Sequence, residues 1–159
     1  MAENNDVQKV LAIINHTRVG MVTTHSNGKL VSRPMSVVEV AEDGDLWFFT
    51  TLDSDVATEI QADGAVNVAF SDSKHWVSLA ATASVVGDVE KKRQLWGPVV
   101  DEFVEGGPES PNVVLLRVDA ESAQFWENPA GAAALAAGWV KAKITGKPAH
   151  PGDSGTVEL

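Results

Sequence analysis

The chain has 159 residues, 44% of them hydrophobic, so it is long enough for one domain with a substantial core and short for two. Its 12 basic and 22 acidic residues give a formal net charge of −10, which argues against nucleic acid as a partner. The absence of cysteine excludes disulfides and thiolate chemistry.

The sequence also favours a cytoplasmic protein with no membrane partner. No apolar run approaches the ~20 residues that a membrane-spanning helix needs. Residues Met1 to Asp6 lack the basic and apolar regions of a signal peptide. The single basic cluster, Lys91-Lys92-Arg93, lies in a charged helical pattern and is expected on a solvated surface.

The N-terminal segment predicts a helix followed by a β-hairpin. Asp6 is a favourable N-cap, and apolar residues follow it at the spacing of one helical face, at Val7, Val10, Leu11 and Ile14. Val19 to Thr24 is rich in β-forming residues. Asn27-Gly28 is a strong hairpin signal and leads into a strand that starts at Leu30.

The strand from Leu30 carries one arginine among apolar residues. Alternation places Arg33 on the same face as Met35, and Pro34 on the same face as Ser36. Since proline cannot donate a ladder hydrogen bond, Pro34 marks an edge, a bulge or the approach of a ligand.

A second β-rich segment, Leu46 to Thr51, follows an acidic glycine turn at residues 42–45. It ends in the hydroxyls of Thr50 and Thr51, and Ser54 precedes a helical pattern. A cation in one strand beside hydroxyls and N–H groups at a helix start suits a phosphate. An edge strand with a solvated arginine and an ordinary N-cap explains the same residues.

The remaining pattern predicts short helices between strands and a mainly β fold, a closed or split antiparallel barrel with peripheral helices. A single domain is expected over residues 1–145, with an irregular tail over 146–159. A helix is expected from Val56 to Asp63, with Gly64 in a C-cap role, followed by strands at Val66–Phe70 and His75–Val86. A helix from Asp88 to Trp96 and a loop at Gly106–Pro111 come next. The last expected elements are a strand at Val113–Val118, its continuation at Ser122–Trp126 after a kink at residues 119–121, and a helix at Gly131–Ile144.

No residue pattern identifies a catalytic group or a metal site. The four histidines are far apart and have no i,i+4 partner, so no metal is expected. Asp53 and Asp55 suit the start of a helix better than paired acid–base chemistry. The catalytic residues, if there are any, are unknown at this point.

Several short motifs occur in a characteristic order. They are Arg33-Pro34-Met35, Leu46-Trp47-Phe48-Phe49-Thr50-Thr51, Trp76-Val77-Ser78-Leu79, Leu95-Trp96-Gly97-Pro98, the Gly106–Pro111 segment and Val114-Leu115-Leu116-Arg117-Val118-Asp119. Together they resemble the pyridoxamine 5′-phosphate oxidase-like superfamily, and within it the general stress protein 26 branch, from about Val7 to Trp126. The resemblance implies an FMN-binding split barrel that forms a homodimer, with the cofactor groove at the subunit interface.

The resemblance also implies roles for individual residues. Arg33 would be the cation near the phosphate, Met35 and Ser36 would border the ring, and Phe49, Thr50 and Ser54 would follow the ribityl-phosphate path. The full implied cofactor-binding set is Arg33, Pro34, Met35, Ser36, Phe49, Thr50, Thr51 and Ser54. Trp126 and Trp139 are large enough to cover the ring from a partner subunit, although five tryptophans in a small core favour a packing role for each.

Two positions depart from the family pattern. Relatives usually carry a basic residue two positions after the serine, where this chain has Val56, and often glycine at the position of Ala81. The first departure lowers the expected affinity for FMN.

The functional prediction is therefore an FMN-binding protein of the general stress type, with flavin-dependent oxidoreductase activity as one form of it. One alternative is a non-catalytic interaction protein with the same fold that binds flavin weakly or not at all. Another is a related barrel that uses a deazaflavin or haem. A small-molecule ligand is common to all but the non-binding form.

Overall fold

The computed structural model describes residues 2–128, 143–144 and 153–159. These residues form the helices α1 (Ala2–Thr17), α2 (Asp55–Ala62), α3 (Val89–Leu95) and α4 (Pro98–Phe103), and the strands β1 (Val19–Ser26), β2 (Lys29–Ser36), β3 (Glu39–Val40), β4 (Leu46–Thr51), β5 (Ala65–Ser71), β6 (His75–Val86), β7 (Val113–Glu127) and β8 (Asp153–Glu158).

The strands form one antiparallel sheet that curls into a split barrel. Their order is β2-β1-β5-β6-β7-β4-β3, with β8 paired to β7. The chain crosses between the two ends of this order at Val37 and Val38, whose N–H groups donate to Arg18 O at 2.8 Å and Trp47 O at 2.9 Å. The predicted mainly β barrel is therefore confirmed, and β2 is an edge strand of the sheet, which is one of the three possibilities that Pro34 left open.

The long strand β7 explains why the barrel is split. Its first half pairs with β4 from Val113 to Val118, and its second half pairs with β8 from Ser122 to Glu127. Between them the register with β6 shifts, because Ala80 pairs with Ser122 whereas Ala81 pairs with Ala120. Glu121 is the extra residue of a β-bulge, so the predicted kink is present inside one continuous strand.

The core lies inside the barrel and beneath the two longer helices. Alternate residues of the strands point inward, including Phe48, Val68 and Leu79, all fully buried. Val10 and Ile14 of α1 close one side of the core, which confirms the predicted apolar face of that helix.

The hairpin between β1 and β2 has the predicted turn. Asn27 and Gly28 have φ angles of 50° and 76°, and the strands close on the pair Ser26 and Lys29. Positive φ at both central residues is the geometry that an Asn-Gly turn favours in a two-residue hairpin.

The acidic turn at residues 42–45 joins different strands from those predicted. The segment from Leu30 to Val40 is divided into β2 and the short strand β3, and it is β3 that pairs with β4. The division falls at Val37 and Val38, because the N–H of Val37 still bonds to Arg18, just before β1, whereas that of Val38 bonds to Trp47 of β4. The strand that carries Arg33 therefore pairs with β1 and not with β4.

Two predicted helix caps are wrong. α1 begins at Ala2, so Asp6 lies within the helix, where an acidic residue near the N-terminal end still favours the helix dipole. Gly64 does not adopt a left-handed conformation. A Cβ there would lie 2.8 Å from Ala83 O, and Gly64 O accepts a hydrogen bond from Ala83 N, so close backbone approach requires the glycine.

The basic cluster at residues 91–93 is only partly solvated. Asp88 caps α3 as predicted, but Lys92 is 2% exposed and its Nζ donates to Ser110 O at 3.0 Å and Val113 O at 2.8 Å. The two carbonyl oxygens accept hydrogen bonds from the buried ammonium group of Lys92. The prediction that this side chain is solvated is therefore wrong.

The end of the chain is not wholly irregular. β8 pairs with β7, Val157 is buried at 3% exposure, and Gly155 lies where a Cβ would be 2.9 Å from the Phe125 ring. The glycine lets the two strands pack around this aromatic ring. The helix predicted over residues 131–144 lies almost entirely outside the described residues, as does Trp139.

Among the described residues, no helix is both long enough and apolar enough to cross a membrane.

Candidate functional site

A cavity of about 470 Å³ lies between the edge strand β2, the end of β4 and helix α4. This volume falls within the ~300–1,000 Å³ typical of small-molecule sites. The residues that line it are Pro34, Met35, Ser36, Val38, Phe49, Thr50, Thr51, Val99, Val100, Phe103, Val104 and Glu105.

The cavity has one apolar wall and one hydroxyl-bearing wall. Helix α4 supplies the apolar wall, in which Val99 is 65% exposed and Phe103 is 78% exposed. The opposite wall contains three residues that carry hydroxyls, Ser36, Thr50 and Thr51. A flat ring with polar edges and a polyol chain are ligands that such a pair of walls can accommodate.

The hydroxyl wall continues into the N-terminus of α2. Thr50 Oγ1 donates to Ser54 Oγ at 2.9 Å, and Ser54 Oγ donates to Thr51 O at 2.6 Å. Ser54 also caps α2 by accepting from Ala57 N at 3.3 Å. These bonds fix the helix start against the end of β4, so the hydroxyls have a defined geometry.

Phe49 is held in place by a second aromatic ring. Its ring lies edge-on to Trp96, with centroids 5.2 Å apart and an interplanar angle of 81°. Trp96 Nε1 donates to Asp101 Oδ1 of α4 at 3.2 Å, which links this aromatic pair to the helix that forms the apolar wall.

Arg33 does not line the cavity, although it directly precedes Pro34. Its Nη1 donates to Thr24 Oγ1 at 2.6 Å and to Val22 O at 3.3 Å, and its Nη2 lies 2.6 Å from Glu59 Oε2 on α2. The side chains of Arg33 and Glu59 are 24% and 13% exposed.

Glu59 belongs to the same hydrogen-bond network. Thr24 Oγ1 donates to Glu59 Oε2. This bond from Thr24, opposed by burial and assisted by the bonds from Arg33 and Ser26, lowers the pKa of Glu59. The carboxylate therefore stays ionised and keeps its partner cation.

The electrostatic surroundings of the helix start are acidic. A hydrogen bond from Thr51 and one from Asn112 lower the pKa of Asp53, so this carboxylate is charged beside the hydroxyl wall. Of the described residues that line the cavity, Glu105 is the charged one.

Val56 and Ala81, the two departures from the family pattern, both face the core. Val56 and Ala81 are each 6% exposed and belong to the main hydrophobic cluster. Both are therefore core residues, and neither lines the cavity. The helical period turns Val56 inward from the helix start, and alternation along β6 turns Ala81 into the barrel.

The structure brings six of the eight sequence-predicted residues to the cavity wall, and Ser54 is bonded directly to one of them. Arg33 is the exception. Sequence reasoning missed the apolar wall, because residues 98–103 were not recognised as a helix. Pro98 at its first turn after Gly97 was the available signal.

The described residues contain no group of three or more His, Asp or Glu side chains that could hold a metal ion. His75, at the start of β6, pairs with Asp72, with Nδ1 2.9 Å from Oδ2. It is half-buried and serves the turn before its strand.

The fold is an antiparallel split barrel with a cavity of mixed apolar and hydroxyl-bearing lining at its edge strand. The family model described as "Pyridoxamine 5'-phosphate oxidase like" matches residues 5–150, and the chain belongs to this family.

Comparison with individual proteins supports the general stress branch of the family. The chain is 28% identical to Protein bli-3 of Neurospora crassa over 156 residues, which cover 90% of this chain and 75% of that protein. It is 27% identical to General stress protein 26 of Bacillus subtilis over 129 residues, covering 76% and 88% of the two chains.

A solved structure of similar fold is the general stress FMN/FAD binding protein from Xanthomonas citri. It superposes with a TM-score of 0.67 at 29% identity and covers 76% of this chain and 87% of that one. The protein is therefore general stress protein 26-like in both sequence and fold.

Proposed function

We propose that the protein binds a flavin, with FMN as the family cofactor, in the cavity between β2, β4 and α4. The observation that carries the proposal is the cavity itself, which joins the apolar wall of α4 to hydroxyl-bearing residues that the family resemblance had implied. The Xanthomonas citri relative, named as an FMN/FAD binding protein, supports the same ligand class.

The residues present fit the ring and the ribityl chain of a flavin. Val99, Val100 and Phe103 would contact one face of the ring, and Met35 and Ser36 would border its other side. Thr50 and Thr51 would bond the ribityl hydroxyls, next to the helix start that Ser54 caps.

A bound flavin would supply hydride-transfer chemistry, and flavin-dependent oxidoreductase activity is the form of function that we propose for the loaded protein. The chain's own residues would position the ring, exclude water from its apolar face and present hydroxyl donors to its polar edge. Glu105 is the titratable side chain on the described cavity wall.

Blocking the cavity mouth tests this assignment. Ser36 and Ser32 lie on the same exposed face of β2, but only Ser36 lines the cavity. Ser36→Trp should weaken FMN binding by about tenfold or more, because the indole occupies ligand volume. Flavin fluorescence quenching measures the affinity. Ser32→Trp is the matched control and should bind as the natural chain does. Equal affinity in all three proteins would contradict the site.

We also propose a homodimer in which the partner completes the cavity. The outer face of the β1–β2 hairpin exposes Val19 by 51%, Met21 by 43% and Leu30 by 69%. Exposed apolar residues grouped on an edge hairpin favour association, which covers both the side chains and the strand edge.

Sedimentation equilibrium at micromolar concentration should give twice the monomer mass. Leu30→Glu should shift the mass toward the monomer, because it places a carboxylate in the apolar face. A clean monomer mass for the natural chain would contradict the dimer and leave the cavity to be completed by one chain alone.

A further inference from the structure

The positive charge of Arg33, the residue next to Pro34 in the sequence, is committed to another partner. Among the described residues that line the cavity, the charged side chain is the carboxylate of Glu105. Asp53 and Asp55 add negative charge at the start of α2. Arg33 is adjacent in sequence to Pro34 on the cavity wall, yet its guanidinium points to Glu59.

The side chains of Arg33, Thr24 and Glu59 are all hydrogen-bonded to one another. Arg33 donates to Thr24 and to Glu59, and Thr24 in turn donates to the same Glu59 oxygen. The three side chains come from β2, β1 and α2, so the network ties the helix to the hairpin. Because Glu59 is 13% exposed, solvent screens this ion pair less than it screens a surface pair.

We propose that Glu59 determines the ligand preference of the cavity by holding Arg33 away from the phosphate end of a bound flavin. The proposal rests on the flavin-binding function proposed above. A phosphate dianion would then meet hydroxyls, helix N–H groups and nearby carboxylates, and the described residues of the cavity wall offer it no cation. The cavity therefore gains no affinity from the phosphate group and binds riboflavin about as well as FMN.

Glu59→Gln is the informative substitution. Glutamine keeps the shape of the side chain and can still accept from Thr24, but it removes the charge that attracts Arg33. The guanidinium, on a flexible stem next to Pro34, then becomes available to a phosphate, for which its paired N–H groups are well suited.

The experiment compares the dissociation constants of FMN and riboflavin by fluorescence quenching in the natural chain, Glu59→Gln and Glu59→Gln/Arg33→Met. In the natural chain the two constants should agree within about threefold. Glu59→Gln should tighten FMN by about tenfold or more and leave riboflavin unchanged, and the double variant should lose this gain. Glu42→Gln, in the exposed turn between β3 and β4, controls for the change in net charge.

Three results would overturn the proposal. One is a natural chain that binds FMN about tenfold or more tighter than riboflavin, a comparison that needs no variant. Another is a Glu59→Gln variant that changes both affinities equally or neither. The third is a gain for FMN that persists without Arg33. If neither flavin binds the natural chain or the variant, the flavin-binding function itself fails, and the preference fails with it.

Discussion

Val56→Lys is expected to destabilise the protein by about 3–5 kcal/mol, because it places an unpaired ammonium in the hydrophobic core. Val56 is 6% exposed and packs in the main cluster. Urea denaturation followed by circular dichroism measures the free energy of unfolding.

Thr58→Lys is the matched control, since Thr58 lies on the exposed side of the same helix. That variant should lie within about 0.5 kcal/mol of the natural chain. The opposite result would be a Val56→Lys protein that keeps its stability and binds FMN more tightly. It would mean that this position faces the phosphate, as the basic residue of the family pattern is expected to, and that the orientation of α2 differs from the one described.

Arg33→Met is expected to destabilise the protein by about 2–4 kcal/mol, because it leaves the Glu59 carboxylate largely buried without its cation. The loss includes the bonds that Arg33 donates to Thr24 and Val22 O. Adding Glu59→Gln should recover a substantial part of the stability, since the double variant no longer buries an uncompensated charge.

Arg18→Met provides the arginine control, because Arg18 is exposed and its Nη1 makes a single 3.5 Å contact with Val37 O. Its free energy of unfolding should change by less than about 0.5 kcal/mol. If Arg33→Met were equally neutral, the network would contribute nothing to the fold, and Arg33 would be available to a ligand.

Local sequence signals predicted the parts of the fold that local chemistry determines. Asn27-Gly28 predicted its hairpin because few residues tolerate positive φ, and Asp88 predicted the start of α3 because its side chain accepts backbone N–H groups. The hydroxyl-bearing wall of the cavity was anticipated in the same way, from hydroxyls placed where β4 ends and α2 begins, whereas the apolar wall was not.

Long-range partners could not be read from the sequence. Arg33 and Glu59 are 26 residues apart, and nothing in either segment indicates that they meet. Lys92 looked solvated because its acceptors, the carbonyls of Ser110 and Val113, belong to a distant loop and strand. The family pattern placed a basic residue at position 56, but the helix rotation set by Ala57 and Ile60 turns that position into the core.

The strand β8 shows the same limitation. Gly155 favours a loop when only its neighbours are considered, yet the Phe125 ring on β7 occupies the space where a side chain would be. Only the pairing of distant segments makes glycine the suitable residue for a strand at this point.

Equilibrium dialysis of the purified natural chain against riboflavin and FMN tests the central claim that the cavity between β2, β4 and α4 binds a flavin. Saturable binding of one flavin per chain is predicted, with an affinity about tenfold or more lower in Ser36→Trp. No saturable binding of either flavin, or stoichiometric binding that survives Ser36→Trp unchanged, would contradict it.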